Sequence, residues 1–213
     1  MHTGAPISAT RVLLLLIAVT ATGCSGPKTG VTRRSEADSS ATGPTSASKR
    51  STKLEQFSSK SGIVIVRGYT DVGSVSGLYG GKASVLANEL TEPHTHETSR
   101  GIVIDITQDE NNSHQSFIDY DEIPPLLQGI DYVLSADSTS TRLKNFEASY
   151  RTIGDFVVTT FNSSVGRPRT LVSLKSGDIA GAHIFCELDQ LRQFRGLVAR
   201  AKETVDAASA TTR

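Results

Sequence analysis

The sequence predicts an α+β domain, a mostly antiparallel sheet of about eight or nine strands carrying two amphipathic helices. Three observations lead there. Short β-branched runs are separated by Gly-Gly, Asp/Asn and Pro-containing breaks. Twice the hydrophobic period changes from that of a strand to that of a helix. With 7 Phe, 5 Tyr and no Trp in 213 residues, the core must be built from Ile, Val and Leu, whose side chains suit a pleated surface.

The first strand is read over 63–66, where Ile63-Val64-Ile65-Val66 stands between Gly62 and Gly68 as a buried β-branched run. Strands at 72–79, 83–90, 101–107 and 115–119 follow, divided by Gly80-Gly81, a polar loop at 91–99 and Asp109-Glu110-Asn111-Asn112. The stretch Gly77-Leu78-Tyr79-Gly80-Gly81-Lys82 lacks phosphate-loop spacing and precedes no helix, so it reads as a β-turn. Behind Asp121, the residues Ile123, Leu126, Leu127, Ile130, Val133 and Leu134 recur at helical spacing, with Pro124 and Pro125 confined to the first turn. They define a helix over about 121–136. Strands at 145–151, 155–162, 169–175 and 182–187 then lead to a second helix over about 189–205. Its apolar side is Leu191, Phe194, Val198, Ala201 and Val205.

A shift of 68 residues sets Ile123 and Leu126 on Leu191 and Phe194, Ile130 on Val198, Phe117 on Phe185, and the strand at 102–106 on 170–174. This pattern reads as a duplicated unit of several strands followed by one helix. The order resembles the strand-strand-strand-strand-helix repeat of the PUR and Whirly single-stranded nucleic-acid binders, at the level of element order alone. The resemblance implies a sheet face lined by basic and aromatic side chains.

Ahead of the domain, residues 1–23 read as an export signal: Arg11 supplies the positive charge, and 12–21, VLLLLIAVTA, is an uncharged core too short to cross about 30 Å of hydrocarbon. The run ends in Ala21-Thr22-Gly23-Cys24, which resembles the bacterial lipobox. That resemblance implies a mature chain beginning at a lipidated Cys24, anchored to the exported side of a cell membrane or outer membrane. Ala21 stands where the lipobox has Leu, Val or Ile, and Ala21-Thr22-Gly23 also fits the small-x-small site whose cleavage releases a soluble protein.

Residues 24–53 follow as a tether. Twelve of the 29 residues in 25–53 are Ser or Thr, so the segment cannot bury enough apolar surface to offset its ordering entropy and is expected to be disordered, with an r.m.s. span of about 30 Å. Lys28, Arg33, Arg34, Lys49, Arg50 and Lys53 outnumber Glu36 and Asp38, which suits a solvated spacer or attraction to anionic head groups. The single folded domain is placed at 54–206 and a disordered tail at 207–213.

Charge and cysteine usage narrow the function. The 22 Lys and Arg balance the 22 Asp and Glu, which argues against nucleic acid held by bulk electrostatics. Of the two cysteines only Cys186 lies in the domain, so no disulfide framework can form within it.

Candidate chemistry is sparse. His94 and His96, two apart in an extended loop, could share a metal with His114 or Asp105 and so serve a metal-dependent hydrolase. No HExxH or Cys-x-x-Cys spacing supports them, and surface residues are the preferred reading. Cys186 could be a nucleophile with His183 or His114 as base, but alternation sets it with Ile184 as a packed core thiol, with His183 and Phe185 on the other face. Asp119, Asp121 and Glu122 could hold a cation or work as paired carboxylates, and capping of the helix they precede is the simpler role. Arg167-Pro168-Arg169 and Lys175, with Phe146, Tyr150, Phe156 and Phe161, could form a basic stacking platform, against which ordinary sheet packing is weighed. No motif names a reaction and no cofactor is implied. The reading is a membrane-tethered, non-enzymatic domain that binds an envelope protein or polymer.

Overall fold

The computed structural model describes residues 51–163, 169–178 and 180–211, all within one compact unit, Ser46–Arg213. In chain order the elements are α1 (Lys53–Ser58), β1 (Val66–Ser76), β2 (Lys82–Thr91), β3 (Thr98–Asp109), β4 (Asn112–Asp119), a 3₁₀ turn (Tyr120–Glu122), α2 (Ile123–Ser135), β5 (Glu147–Arg151), β6 (Phe156–Ser163), β7 (Arg169–Ser176), β8 (Ala182–Cys186) and α3 (Leu188–Thr211). The strands form two antiparallel meanders, β1-β2-β3-β4 and β5-β6-β7-β8. The α+β class and the eight strands agree with the sequence.

The expected single sheet is instead two sheets that share one core. α2 interrupts strand pairing after β4, and the inner faces bury Ile102, Ile104 and Ile106 of β3 in one core with Val172 and Leu174 of β7 and Ile184 of β8. Within that core Phe156 of β6 lies 5.5 Å from Phe194 of α3, centroid to centroid. A buried hydrogen bond between the Ser116 and Ser176 hydroxyls, 2.7 Å, fastens β4 to β7.

The helices are exchanged between the sheets. α2 follows the first sheet but packs on β5 and β6, whereas α3 follows the second and packs mainly on β1, β2 and β3. Gly129 on α2 makes this docking possible, because a Cβ there would collide with the Tyr150 ring of β5. Pro124 and Pro125 fall in the first turn of α2, where missing N–H groups leave no helical bond unmade.

Three expectations are corrected. Residues 63–66 are not a buried strand: Ile63 and Val64 are exposed, and pairing begins only at Val66. β1 is the edge of its sheet, and only Ile65 in this run packs inward, against α1. A third helix, α1, starts at Lys53, the last residue assigned to the tether. Thr52 and Glu55 form a reciprocal capping box, and Asp119 of β4 accepts from Lys53 N (2.8 Å) and Leu54 N (3.0 Å), so the first amides of the turn are satisfied by side chains. Finally, α3 continues through most of the expected tail, to Thr211, where Ala207, Ala208 and Ala210 favour the helix.

Candidate binding surface

The two sheets differ in what lies on their outer faces. On the first, α1 seals Leu54 and Phe57 against Leu90 and Phe117. On the second, no described helix packs. Register assigns the outward side chains there: Arg151 of β5 is paired with Val157 of β6, Phe161 of β6 with Leu171 of β7, and Lys175 of β7 with His183 of β8, beside Phe185.

Phe185 is the centre of an aromatic group on this face. His183 lies 5.3 Å from it, Phe161 6.2 Å and Tyr79 6.3 Å, each edge to face. Tyr79 arrives from the β1–β2 turn and is 74% exposed. That turn is held on β8 by Leu78 N donating to Phe185 O at 2.7 Å. Gly81 is required there: its φ is 73°, and a Cβ would meet Thr107 O at 2.6 Å. Gln108 Oε1 accepts from His183 N at 3.2 Å, so the first sheet also covers the backbone edge of β8.

The charges of this face are largely paired. Arg169 lies 3.4 Å from Glu187 and donates to the Tyr79 hydroxyl at 3.4 Å, and Arg151 lies 3.2 Å from Asp155. The residues expected to form a platform are only partly brought together. Phe161, Arg169 and Lys175 belong to the surface or its rim, whereas Phe156 is fully buried, Phe146 is buried beside Asn162 at the start of β5, and Tyr150 faces α2. Arg167 and Pro168 lie outside the described residues, as does Cys24. Phe185, His183 and Tyr79 were absent from the expected set, although the alternation around Cys186 already put His183 and Phe185 on the face opposite the core.

The proposed metal residues do not converge. His94 and His96 occupy the β2–β3 turn, where His96 has φ 57° and its N–H donates to Glu92 O at 2.9 Å, so the extended geometry that would align two imidazoles is absent. His114 pairs with Ile106, eight residues along β3 from Thr98, or about 27 Å from that turn at the usual strand rise. Asp105 projects from the opposite face of the sheet to His114 and accepts from Ser113 Oγ (2.9 Å) and Gln115 Nε2 (2.8 Å). Among the described residues no three His, Cys, Asp or Glu side chains gather to hold a metal.

Cys186 is fully buried, and desolvation pushes its thiol up to about 12, which suppresses the thiolate a nucleophile needs. The acidic cluster separates by role: Asp119 caps α1, not α2; Asp121 pairs with Lys53 at 2.7 Å; and Glu122 accepts from Ile153 N at 2.6 Å. A groove of about 620 Å³ runs past Lys53, Arg100, Asp119, Tyr120, Asp121 and Asp206. Its charges are already matched, since Asp206 accepts from Tyr120 (2.5 Å) and Lys202 (2.8 Å), and Arg100 pairs with Glu89.

Fold and surface together define an α+β domain of two packed four-stranded sheets, one sealed by a helix and one open over an aromatic group. No protein-family model, curated protein or solved structure matches the chain. No helix among the described residues is long and apolar enough to cross a membrane.

Proposed function

We propose that this protein is an exported, lipid-anchored domain that binds a ring-bearing polymer of the cell envelope on the open face of its second sheet. The single observation that carries the reading is the aromatic group of Tyr79, Phe161, His183 and Phe185 on a sheet face that no helix among the described residues covers. Sugar rings present C–H groups that pack on aromatic faces, and a flat sheet matches an extended chain better than a globular ligand. Charge separates this reading from its rival: Arg151 and Arg169 are paired to acids, which leaves Lys175 as the one cation of the face without an acidic partner among the described residues, fewer than a phosphate backbone requires.

The anchor is the lipobox-like Ala21-Thr22-Gly23-Cys24, and the Ser/Thr-rich segment after it would let the domain reach about 30 Å from a bilayer. The domain itself we infer to be a duplicated four-strand-and-helix unit. Four helix positions support this: Ile123, Leu126, Ile130 and Val133 of α2 are buried, and so are Leu191, Phe194, Val198 and Ala201 of α3, each 68 residues later.

Two experiments test the reading. Intact mass of protein from detergent-extracted membranes should show a chain beginning at Cys24 with a diacylglyceryl adduct, absent from Cys24→Ser. An unmodified chain in the soluble fraction overturns the anchor. Co-sedimentation with purified cell-wall sacculi should be insensitive to salt between about 50 and 200 mM and abolished by Tyr79→Ala with Phe185→Ala. Absence of sedimentation, with steeply salt-dependent binding of a single-stranded oligonucleotide, would replace the polymer with nucleic acid.

A further inference from the structure

The edge strand β1 carries a second surface, and its chemistry selects a particular partner. β1 pairs with β2 on one side and with no described strand on the other, so a row of backbone donors and acceptors faces outward along 66–71. Natural edges are usually short, bulged or studded with lysine. This one runs unbulged for the six residues Val66 to Asp71, contains no lysine, and exposes Val66 (53%) and Tyr69 (65%). The shift in register comes only after Asp71, whose carboxylate accepts from Gly73 N at 2.9 Å.

The sequence Val66-Arg67-Gly68-Tyr69-Thr70-Asp71 is complementary to itself read backwards about Tyr69. In an antiparallel pairing of two copies centred there, Arg67 stands opposite Asp71 of the other chain, Asp71 opposite Arg67, and Tyr69 opposite Tyr69. These three side chains share one face, because Arg67, Tyr69 and Asp71 pair with Leu90, Asn88 and Leu86, which alternate with the core residues Val85 and Ala87. On the other face Gly68 meets Thr70, two small residues that leave room beside the C-terminal turns of α3. Arg67 already lies 5.4 Å from the Tyr69 ring and donates to Asn88 at 2.7 Å, so its side chain is held over the strand rather than extended into solvent.

We infer that β1 is a homodimer edge: two copies join antiparallel through 67–71 about a two-fold axis at Tyr69, making one continuous eight-stranded sheet from their two first sheets. Such a contact is isologous, so each opposite-charge pair occurs twice and the assembly closes at two. Both open faces of the second sheets remain outside the joint, which would give the dimer two polymer-binding faces. The dimer itself does not depend on that binding.

The test is a charge swap followed by sedimentation velocity of the full-length chain carrying Cys24→Ser in mild detergent. The wild-type pairing should give a dimer that weakens with added salt. Arg67→Asp alone, or Asp71→Arg alone, places like charges opposite each other twice and should raise the dissociation constant by more than about 100-fold. The double variant Arg67→Asp with Asp71→Arg restores complementarity and should restore the dimer, which loss of folding in a single variant could not mimic. Tyr69→Cys in the same background should cross-link to a disulfide dimer on mild oxidation, because opposed residues at the axis bring their Cβ atoms to about 4.5–5.5 Å. A monomeric wild type, a dimer indifferent to the single swaps, or failure of the double variant to recover would each overturn the inference.

Discussion

The two sheets share a plan of four antiparallel strands and differ in their outer faces. The first is sealed by α1, with Leu54 and Phe57 packed against Leu90 and Phe117, and its alternation is apolar on both sides: Val103 looks out and is as fully buried as Ile102 and Ile104. The second has core residues on one side and, on the other, Val157, Thr159, Phe161, Lys175, His183 and Phe185, all half-buried, together with the buried Leu171. A six-residue helix is the physical difference. Where it packs, apolar side chains contribute to stability; where no described helix packs, the rings of Phe161, His183 and Phe185 stay partly exposed.

The largest expected effect comes from breaking the exchange of helices. Because α2 covers the second sheet and α3 the first, residues 51–137 and 138–211 each lack the helix that would bury their own strands. Expressed apart, neither half should show cooperative unfolding or dispersed amide resonances, and mixing the two should recover both. A half that melts cooperatively alone would show that the sheets are separate domains in contact.

Next comes the seal itself. Leu54→Ala removes a side chain with no exposed surface from the first sheet's cover and should cost about 2–5 kcal/mol, read as a lower urea midpoint at unchanged slope. Phe185→Ala makes the comparable cut on the open face and should cost roughly 1 kcal/mol, since the ring is only half-buried, while abolishing co-sedimentation with sacculi. Equal stability losses at the two positions would mean the second face is also sealed.

Much of this was legible in the sequence. Eight of the nine expected strands have a counterpart in the fold, because alternating burial leaves a period-two trace in residues such as Ile102, Ile104 and Ile106. Both long helices were marked by apolar positions three and four apart. α1 was legible too, in Thr52-x-x-Glu55 with Leu54 and Phe57 one turn apart, but six residues among serines carry too little periodicity to stand out from a tether. The run at 63–66 misled because β-branching reports a liking for extended backbone, not whether a neighbour covers it. The division into two sheets and the exchange of helices depend on contacts between residues about 60 or more apart, such as Ser116 with Ser176, and no local pattern encodes them. For the same reason Tyr79, from a turn in the first half, could not be placed beside Phe185 in advance.

The smallest effect tests how the second sheet's β5–β6 turn is pinned to α2. Glu122 accepts from Ile153 N, while its Oε2 is buried without a partner. Burial raises its pKa above the ordinary 4.5, assisted by the negative charges of Asp119 and Asp121 and opposed by the Ile153 N–H; Tyr150 faces it from β5. The folded state thus holds the Glu122 proton more tightly than the unfolded state does. The stabilisation this gives is complete below pH 4.5 and is lost as pH rises through the raised value. Asp121, Asp131 and Asp206 act in the opposite sense: Lys53, Arg195 and Lys202 lower them, so their contribution is present above 3.8 and is lost as pH falls through their depressed values. Glu122→Gln keeps an acceptor for Ile153 N–H and removes the buried charge. It should gain about 1 kcal/mol at pH 7 and abolish the decline in stability just above pH 4.5, leaving only the acid limb set by the aspartates. A variant less stable than wild type at pH 7, with the decline still present, would show that the ionised carboxylate is what holds Ile153 and that the turn is pinned by charge.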